Sequence, residues 1–422
     1  MSFRPFRFLH AADLHLERPF EGVAEAPDAL RERLIDAPYV AATRLFDLAV
    51  AEGVDFVILA GDVADIRRAG PRAMAFLVEQ FERLAARNIR VYWAGGQVDP
   101  PSQWPASISL PRHVRVFPAD RVESFLHERD GRPLARIVGV GGSSSYEPRA
   151  ADFHPPDVDV PTIAALHLPA DLPAMDREPI AYWALGGDHS RRTLFASPGT
   201  AHYAGTPQGR TRHESGPRGA TLVDVDDSGR ARTVFQPLDA VRWFAQTVVV
   251  EPETERPAME KRLREEMGRL ATGAADRAVL VHFTLAGGGP LSAELRRAGM
   301  RDELAGPLRD EFGHREPPVW VVDLDIEPAA LFPAAFYEQD SILGDYLRAL
   351  GDLQSDPSPT ALAKLWPAAG PDVPPGIADS ASQVYVLRRA AELGIDLLRG
   401  ETPSLRAHQP QRTGTPHQEI KP

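Results

Sequence analysis

The chain has no cysteine among its 422 residues, which excludes disulfides and thiolate metal ligands and fits a cytoplasmic protein. It has no run approaching the roughly 20 apolar residues that a membrane span needs. Met1-Ser2-Phe3-Arg4-Pro5-Phe6-Arg7 leads straight into a predicted strand and does not read as a signal peptide. An excess of positive charge is also missing: the net charge is −12, which opposes diffuse attraction to a polyanion. A nucleic-acid substrate would need a local basic stripe or a partner subunit to supply phosphate contacts. No internal repeat is visible. What remains is an ordinary soluble composition, 43% apolar and 25% charged, in a chain too long for one domain.

Hydrophobic patterning predicts an α/β fold. Phe6–His10 reads as a short strand, and Asp28 as the cap of a long helix ending near Gly53. Asp55–Ala60 reads as a buried strand, a helix follows from about Pro71 to Asn88, and Ile89–Trp93 is a third strand. That alternation argues for a sheet covered on both faces. Beyond Val114 short strands dominate, at Arg121–Arg129, Leu134–Gly141, Thr162–Leu166, Ile180–Leu185, Gly219–Val225 and Arg230–Phe235. A first domain ends near Asp239. Strands at Trp243–Val250, Ala278–Leu285 and Val319–Ile326, with intervening helices, form a smaller α/β module. Ser341–Leu353 and Ser380–Leu398 carry helical spacing, the latter with Val384, Leu387, Ala391 and Leu398 on one face. Those faces close on their own domain or dock a partner. Residues 401–422 are polar and are expected to be disordered.

Three clusters carry the chemistry, each directly after a predicted strand: Asp13-Leu14-His15, Gly61-Asp62-Val63-Ala64-Asp65 and Gly186-Gly187-Asp188-His189. Carboxylate and imidazole together suit a divalent ion such as Mn, Fe or Zn. A carboxylate at Asp62 can bridge two ions about 4 Å apart, which polarise a phosphoryl oxygen and generate hydroxide near neutral pH. Each residue alone has a plainer explanation: Asp13 and Asp62 as turn or capping residues, His167 and His189 as core histidines. The ordered set favours ligands. Asp65 and Asp99 are read as supporting or loop residues, and His113, His154 and His202 as structural or surface ones. Arg67, Arg68, Arg191, Arg192, Arg210, Arg212 and Arg218 lie near the motif loops, as a solvated rim or a phosphate-contacting stripe.

The segment Phe8-Leu9-His10-Ala11-Ala12-Asp13-Leu14-His15-Leu16 resembles the opening of the calcineurin-like metallophosphoesterases. Within them it is similar to SbcD-type DNA-repair exonuclease subunits and most similar to their YhaO-type bacterial relatives. Further matches follow in order: Gln80–Leu84, His167 closing Ile163–His167, Tyr182–Gly186 before His189, and Tyr203–Arg210 with Gly216 and Gly219. The likeness covers residues 1–240 well and the remainder in outline. It implies a four-layer α/β/β/α sandwich over 1–240, a smaller C-terminal α/β capping domain over 241–335, and C-terminal helices over 336–400.

Carried over residue by residue, the resemblance implies an intact first metal site of Asp13, His15, bridging Asp62 and His189. The second is altered. The family's Gly-Asn-His-Asp reads Gly96-Gln97-Val98-Asp99, so Gln97 replaces an Asn ligand and Val98 replaces the general-acid His. His167 stands as a second-site ligand. The family's Gly-His-x-His reads Gly186-Gly187-Asp188-His189, which removes another imidazole. Asp188 is not expected to rescue it, since neighbours on an extended segment face opposite ways. Asp62 and His167 are the residues left with a catalytic part, and Arg210, Arg191 and Arg192 are expected to contact phosphate or DNA. The cofactor implied is a divalent metal, Mn2+. The partners implied are DNA, an SMC-like ATPase subunit and a second copy in a homodimer, with no membrane. Two functions follow: a metal-dependent DNA phosphodiesterase weakened by loss of its general acid, worth about 10²–10⁴-fold, or a non-catalytic nuclease-like subunit.

Overall fold

The computed structural model describes residues 2–355 and 380–398, apart from 24, 101–102, 106–107, 143–145, 155–159, 168–171, 252, 288–289, 297–298 and 328–336. The predicted tail at 401–422 lies outside these. Two compact units emerge, one reaching Trp243 and including Ala274–Val279, the other Phe244–Gly273 with the chain from Leu280 on.

In the first unit, β1 (Phe6–Ala11), β2 (Phe56–Leu59), β3 (Arg90–Trp93) and β4 (Val114–Val116) run parallel. The antiparallel strands β11 (Gly219–Val225) and β12 (Ala231–Pro237) complete a six-stranded sheet, β12-β11-β1-β2-β3-β4. All four residues of β2 are apolar and buried, because the sheet is covered on both faces. One cover is the helix pair α1 (Asp28–Ala51) and α2 (Gly70–Ala85), whose Leu45, Phe46, Ala73, Leu77 and Phe81 pack on Leu9, Val57 and Val91. Asp28 does not cap α1. Pro27 holds the N-cap without a side-chain bond, and Asp28 opens the first turn, where its charge still favours the helix N-terminus.

The other cover is a second six-stranded sheet, β5 (Glu123–Arg129), β6 (Arg132–Val140), β7 (Thr162–His167), β8 (Tyr182–Gly186), β10 (Thr200–Tyr203) and β9 (Arg192–Phe195), in that order. Phe8, Phe56, Ile58 and Tyr92 meet Ile137, Ile163, Ala165 and Tyr182 between the sheets, and Phe8 stacks on Phe56 with centroids 4.9 Å apart. Among the described residues, Val138, Leu166, Trp183 and Leu185 are covered by short 3-10 turns at Ala150–Phe153 and Met175–Arg177, through Phe153 and Met175.

A three-stranded sheet of β13 (Val241–Val250), β14 (Ala278–Gly287) and β15 (Val319–Ile326) belongs mainly to the second unit. Helices α3 (Arg256–Gly273) and α4 (Met300–Phe312) bury Leu263, Met267, Leu304 and Leu308. Helix Ile342–Ser355 pairs with Ser380–Leu398 through Leu347, Leu350, Leu387, Ala391 and Ile395. Leu398, predicted on that face, is exposed, and Ile395 takes its place. No helix among the described residues is long and apolar enough to cross a membrane.

The strand ends of the first unit come together on small residues. Ala12, Ala60 and Ala204 form a cluster of their own. A Cβ at Gly186 would sit 1.8 Å from the Ala60 carbonyl oxygen, so glycine is required for this approach.

Candidate metal centre

The loops after β1 and β2 stay laddered beyond the sheet. Asp13 N–H donates to Gly61 O at 2.9 Å, His15 N–H to Asp62 O at 3.0 Å, and Leu16 N–H to Val63 O at 3.2 Å. Asp13, His15 and Asp62 adopt positive φ of 54°, 42° and 50°. Such backbone costs about 1 kcal/mol or more at each non-glycine residue and persists only where the surroundings enforce it. Here it turns three side chains inward.

Two buried groups do the enforcing. Asp99 accepts the N–H of Asp62 at 2.9 Å, of Gly96 at 2.6 Å and of Val63 at 3.0 Å, and Trp93 Nε1–H at 2.9 Å. Arg210 is 1% exposed. Its guanidinium donates to the carbonyls of Leu14, His15, Gln208 and Arg18 and to Thr206 Oγ1. That corrects the expectation that Arg210 touches phosphate: a guanidinium so committed and so buried has no face left for a ligand. It clamps the loop that carries His15.

The strand ends bring five predicted residues to one point. His15 Nε2 lies 3.2 Å from His189 Nε2 and 3.7 Å from Asp62 Oδ2. His167 Nε2 lies 3.3 Å from Asp13 Oδ1 and 3.4 Å from Asp62 Oδ2. Asp13 with His15 and His189 forms one candidate ligand group, and Asp13 with Asp62 and His167 another. Ligand atoms about 2.0–2.2 Å from a metal stand roughly 3 Å or more from each other, so this spacing fits a shared divalent ion. Asp13 belongs to both groups, whereas Asp62 belongs to the second and lies 3.7 Å from His15 of the first, so the shared carboxylate here is Asp13.

Residues 6–191 match a family model described as calcineurin-like phosphoesterase, and residues 243–328 one described as metallophosphoesterase YhaO, middle domain. Metallophosphoesterase YhaO of Bacillus subtilis (strain 168) is 30% identical over 339 residues, 76% of this chain and 81% of the relative. The chain belongs to the calcineurin-like metallophosphoesterases. It is a YhaO-type homologue. Among solved structures, a dimetal phosphatase from Danio rerio covers 55% of this chain and 98% of its own at 14% identity and a TM-score of 0.33. The phosphoesterase Yfce from E. coli covers 54% and 98% at 14% identity and 0.25. At those TM-scores neither bears on the site.

In this metallophosphoesterase the imidazoles hold protons differently. Burial pushes His15 down to about 4, ahead of the opposing charge of Asp62. Burial also works against a charge on His167, yet hydrogen bonds to Asp13 and Asp62 raise it to about 10. Asp62 stays well below the usual carboxylate range: burial opposes ionisation, but His167, His15 and the Val98 N–H outweigh it. Asp99 is pushed up to about 6 by burial and by the charge of Asp62.

The remaining predicted residues fall elsewhere. Gln97 is exposed and makes no hydrogen bond among the described residues, so it does not join the five. Val98 offers only its backbone N–H, 3.1 Å from Asp62 Oδ1. Gly187 donates its N–H to Asp13 at 3.1 Å. Asp188 faces away, accepting from Ser190 N–H and from Arg192 Nε at 2.6 Å; the chain has left β8 at Gly186 and turns at Gly187, where φ is 100°. Arg192 is therefore engaged with Asp188 and also stacks on Tyr203. Arg191 is exposed, its guanidinium 5.3 Å from the Phe235 ring centroid.

Sequence reasoning missed Glu214, which accepts from His189 Nδ1 at 2.5 Å. The signal was present as Thr211-x-x-Glu214, a capping-box spacing at the end of the Tyr203–Arg210 match. A further His/Asp group, His282 with Asp323 and Asp325, lies in the second unit, where Arg301 also reaches Asp325 at 3.4 Å.

Proposed function

We propose that this metallophosphoesterase hydrolyses phosphodiester bonds in DNA slowly, with one firmly held divalent ion. The observation that carries this is the convergence of Asp13, His15, Asp62, His167 and His189 beside a loop without a proton donor at Val98. A divalent ion, Mn2+ by resemblance, supplies Lewis acidity and a readily deprotonated water in such a donor set. Asp13, His15, Asp62 and His189 would hold it. His189, with its side chain 27% exposed, marks the side from which a phosphate approaches. DNA as substrate is supported by the SbcD-type resemblance. The exposed Arg67, Arg68 and Arg191 add cationic charge near the motif loops. The SbcD-type resemblance also supports residues 1–240 as the nuclease-like domain, 241–335 as a cap, and 336–400 as helices that dock an SMC-like ATPase, with the assembly a homodimer.

A second function, as a non-catalytic subunit that binds DNA or scaffolds the ATPase, is favoured by one observation. Val98 and Gly187 reach Asp62 and Asp13 through backbone N–H groups alone, and Gln97 is exposed, so the three altered positions supply no ligand or acid. Single- and double-stranded DNA incubated with the full chain and Mn2+ separates the two. Slow, chelator-sensitive cleavage that disappears in Asp62→Ala is expected. Absence of cleavage despite bound Mn2+ would favour the scaffold, and cleavage insensitive to Asp62→Ala would overturn the site.

A further inference from the structure

The imidazole of His189 is backed by a carboxylate that is itself pinned. His189 Nδ1 lies 2.5 Å from Glu214 Oε1, while Glu214 Oε2 accepts the backbone N–H of Arg210 at 2.5 Å and of Thr211 at 3.2 Å. Glu214 ends the short turn Arg212–Glu214 as the third residue after the cap Thr211 in a capping box, so its side chain reaches back along the chain. That side chain is 11% exposed. Through Arg210 the same segment grips the Leu14 and His15 carbonyls on the other side of the cluster.

Proton bookkeeping makes this arrangement directional. An ionised carboxylate has no proton to give, so the proton in the bond sits on Nδ1 and His189 donates. Nε2 then keeps its lone pair, and Nε2 is the atom 3.2 Å from His15 Nε2 inside the cluster. The other imidazoles lack this backing. His15 Nδ1 stands 4.0 Å from Glu17 Oε1, too far for a hydrogen bond. His167 Nδ1 is buried with no hydrogen-bond partner among the described residues.

We infer that Glu214 is a positioning residue that fixes His189 as the Nδ1–H tautomer and holds its Nε2 lone pair on the first ion. The inference rests on the metal-centre reading above, which names His189 as a ligand and gives Glu214 no part. Outer carboxylates of this kind typically set metal affinity by about 10–100-fold.

The isosteric change Glu214→Gln tests it sharply. The amide oxygen is needed for the two backbone N–H groups of Arg210 and Thr211, which turns the amide NH2 toward His189 Nδ1. Nδ1 must then accept, and the proton moves to Nε2, where it blocks a metal. Glu214→Ala merely frees Nδ1. A purely structural role for Glu214 would make Ala the more harmful change; a tautomer role makes Gln the more harmful.

The measurements are Mn2+ affinity of the full chain by calorimetry and the His189 tautomer by 15N spectroscopy of metal-free protein. Expected are Nδ1–H in wild type, Nε2–H in Glu214→Gln, and Mn2+ binding weakened by about 10–100-fold in Gln and by less in Ala. Wild-type affinity in Glu214→Gln, or Ala binding more weakly than Gln, would overturn the role of Glu214 alone. Failure of wild type to bind Mn2+ at all, with Asp62→Ala no different, would overturn the metal centre itself.

Discussion

The two halves of one pocket share their strand ends yet differ in almost every physical respect. Around His15 and His189, both imidazoles turn Nε2 inward, His15 is held neutral, and His189 is steered by Glu214. Around His167, the imidazole carries a proton between Asp13 and Asp62, so the protein's own cation offsets two buried carboxylates. Exposed Gln97 gives that half no ligand, and Gly187 has no side chain to give. The difference teaches that ligand loss on one side need not spread. Arg210 and Glu214 support the first half from the segment after β10, whereas Asp99 supports the turn at Asp62 from the Gly96–Asp99 loop.

The largest expected effect comes from rebuilding the weaker half. Val98→His with Gln97→Asn should raise Mn2+-dependent DNA cleavage by about 10²-fold or more, the usual contribution of a general acid. Adding Gly187→His should help little, because Gly187 has φ of 100° and a side chain there is strained. No gain from the double change, measured by initial rates, would mean that the loop does not face the reacting phosphate.

A smaller effect is expected from pH in chelator-treated protein. His167 is raised above its unfolded value of 6.5, so its ion pairs with Asp13 and Asp62 are fully stabilising below that pH. They are lost as pH rises toward about 10. The melting temperature should therefore fall across that window, and His167→Gln should flatten the fall. A profile that is flat in wild type would remove the distinction in protonation between the halves. The smallest effect is expected from Gln97→Ala, whose side chain is exposed; stability should stay within about 0.5 kcal/mol of wild type. Mn2+ affinity should not change.

Much of this was legible in the sequence because it rests on local patterns. Apolar strands ending in Asp-x-His and Gly-Asp placed Asp13, His15 and Asp62, and β15 was predicted at its observed limits. Burial of polar groups was not legible. β10 was missed because Thr200 and His202 look like loop residues, yet His202 is buried and bonded to Thr193 on neighbouring β9 and to Thr221 on β11 of the facing sheet. Arg210 was misread for the same reason: an arginine among other arginines gives no sign that backbone carbonyls surround it. For Glu214 the capping-box spacing with Thr211 was legible, but its contact with His189, 25 residues away, was not.

The most direct test of the lopsided pocket is a count of bound Mn2+ across a titration of the full chain by calorimetry with parallel elemental analysis. A single tight ion, abolished by Asp62→Ala and followed at most by a far weaker one, is the predicted result. Two ions bound with equal strength would contradict it.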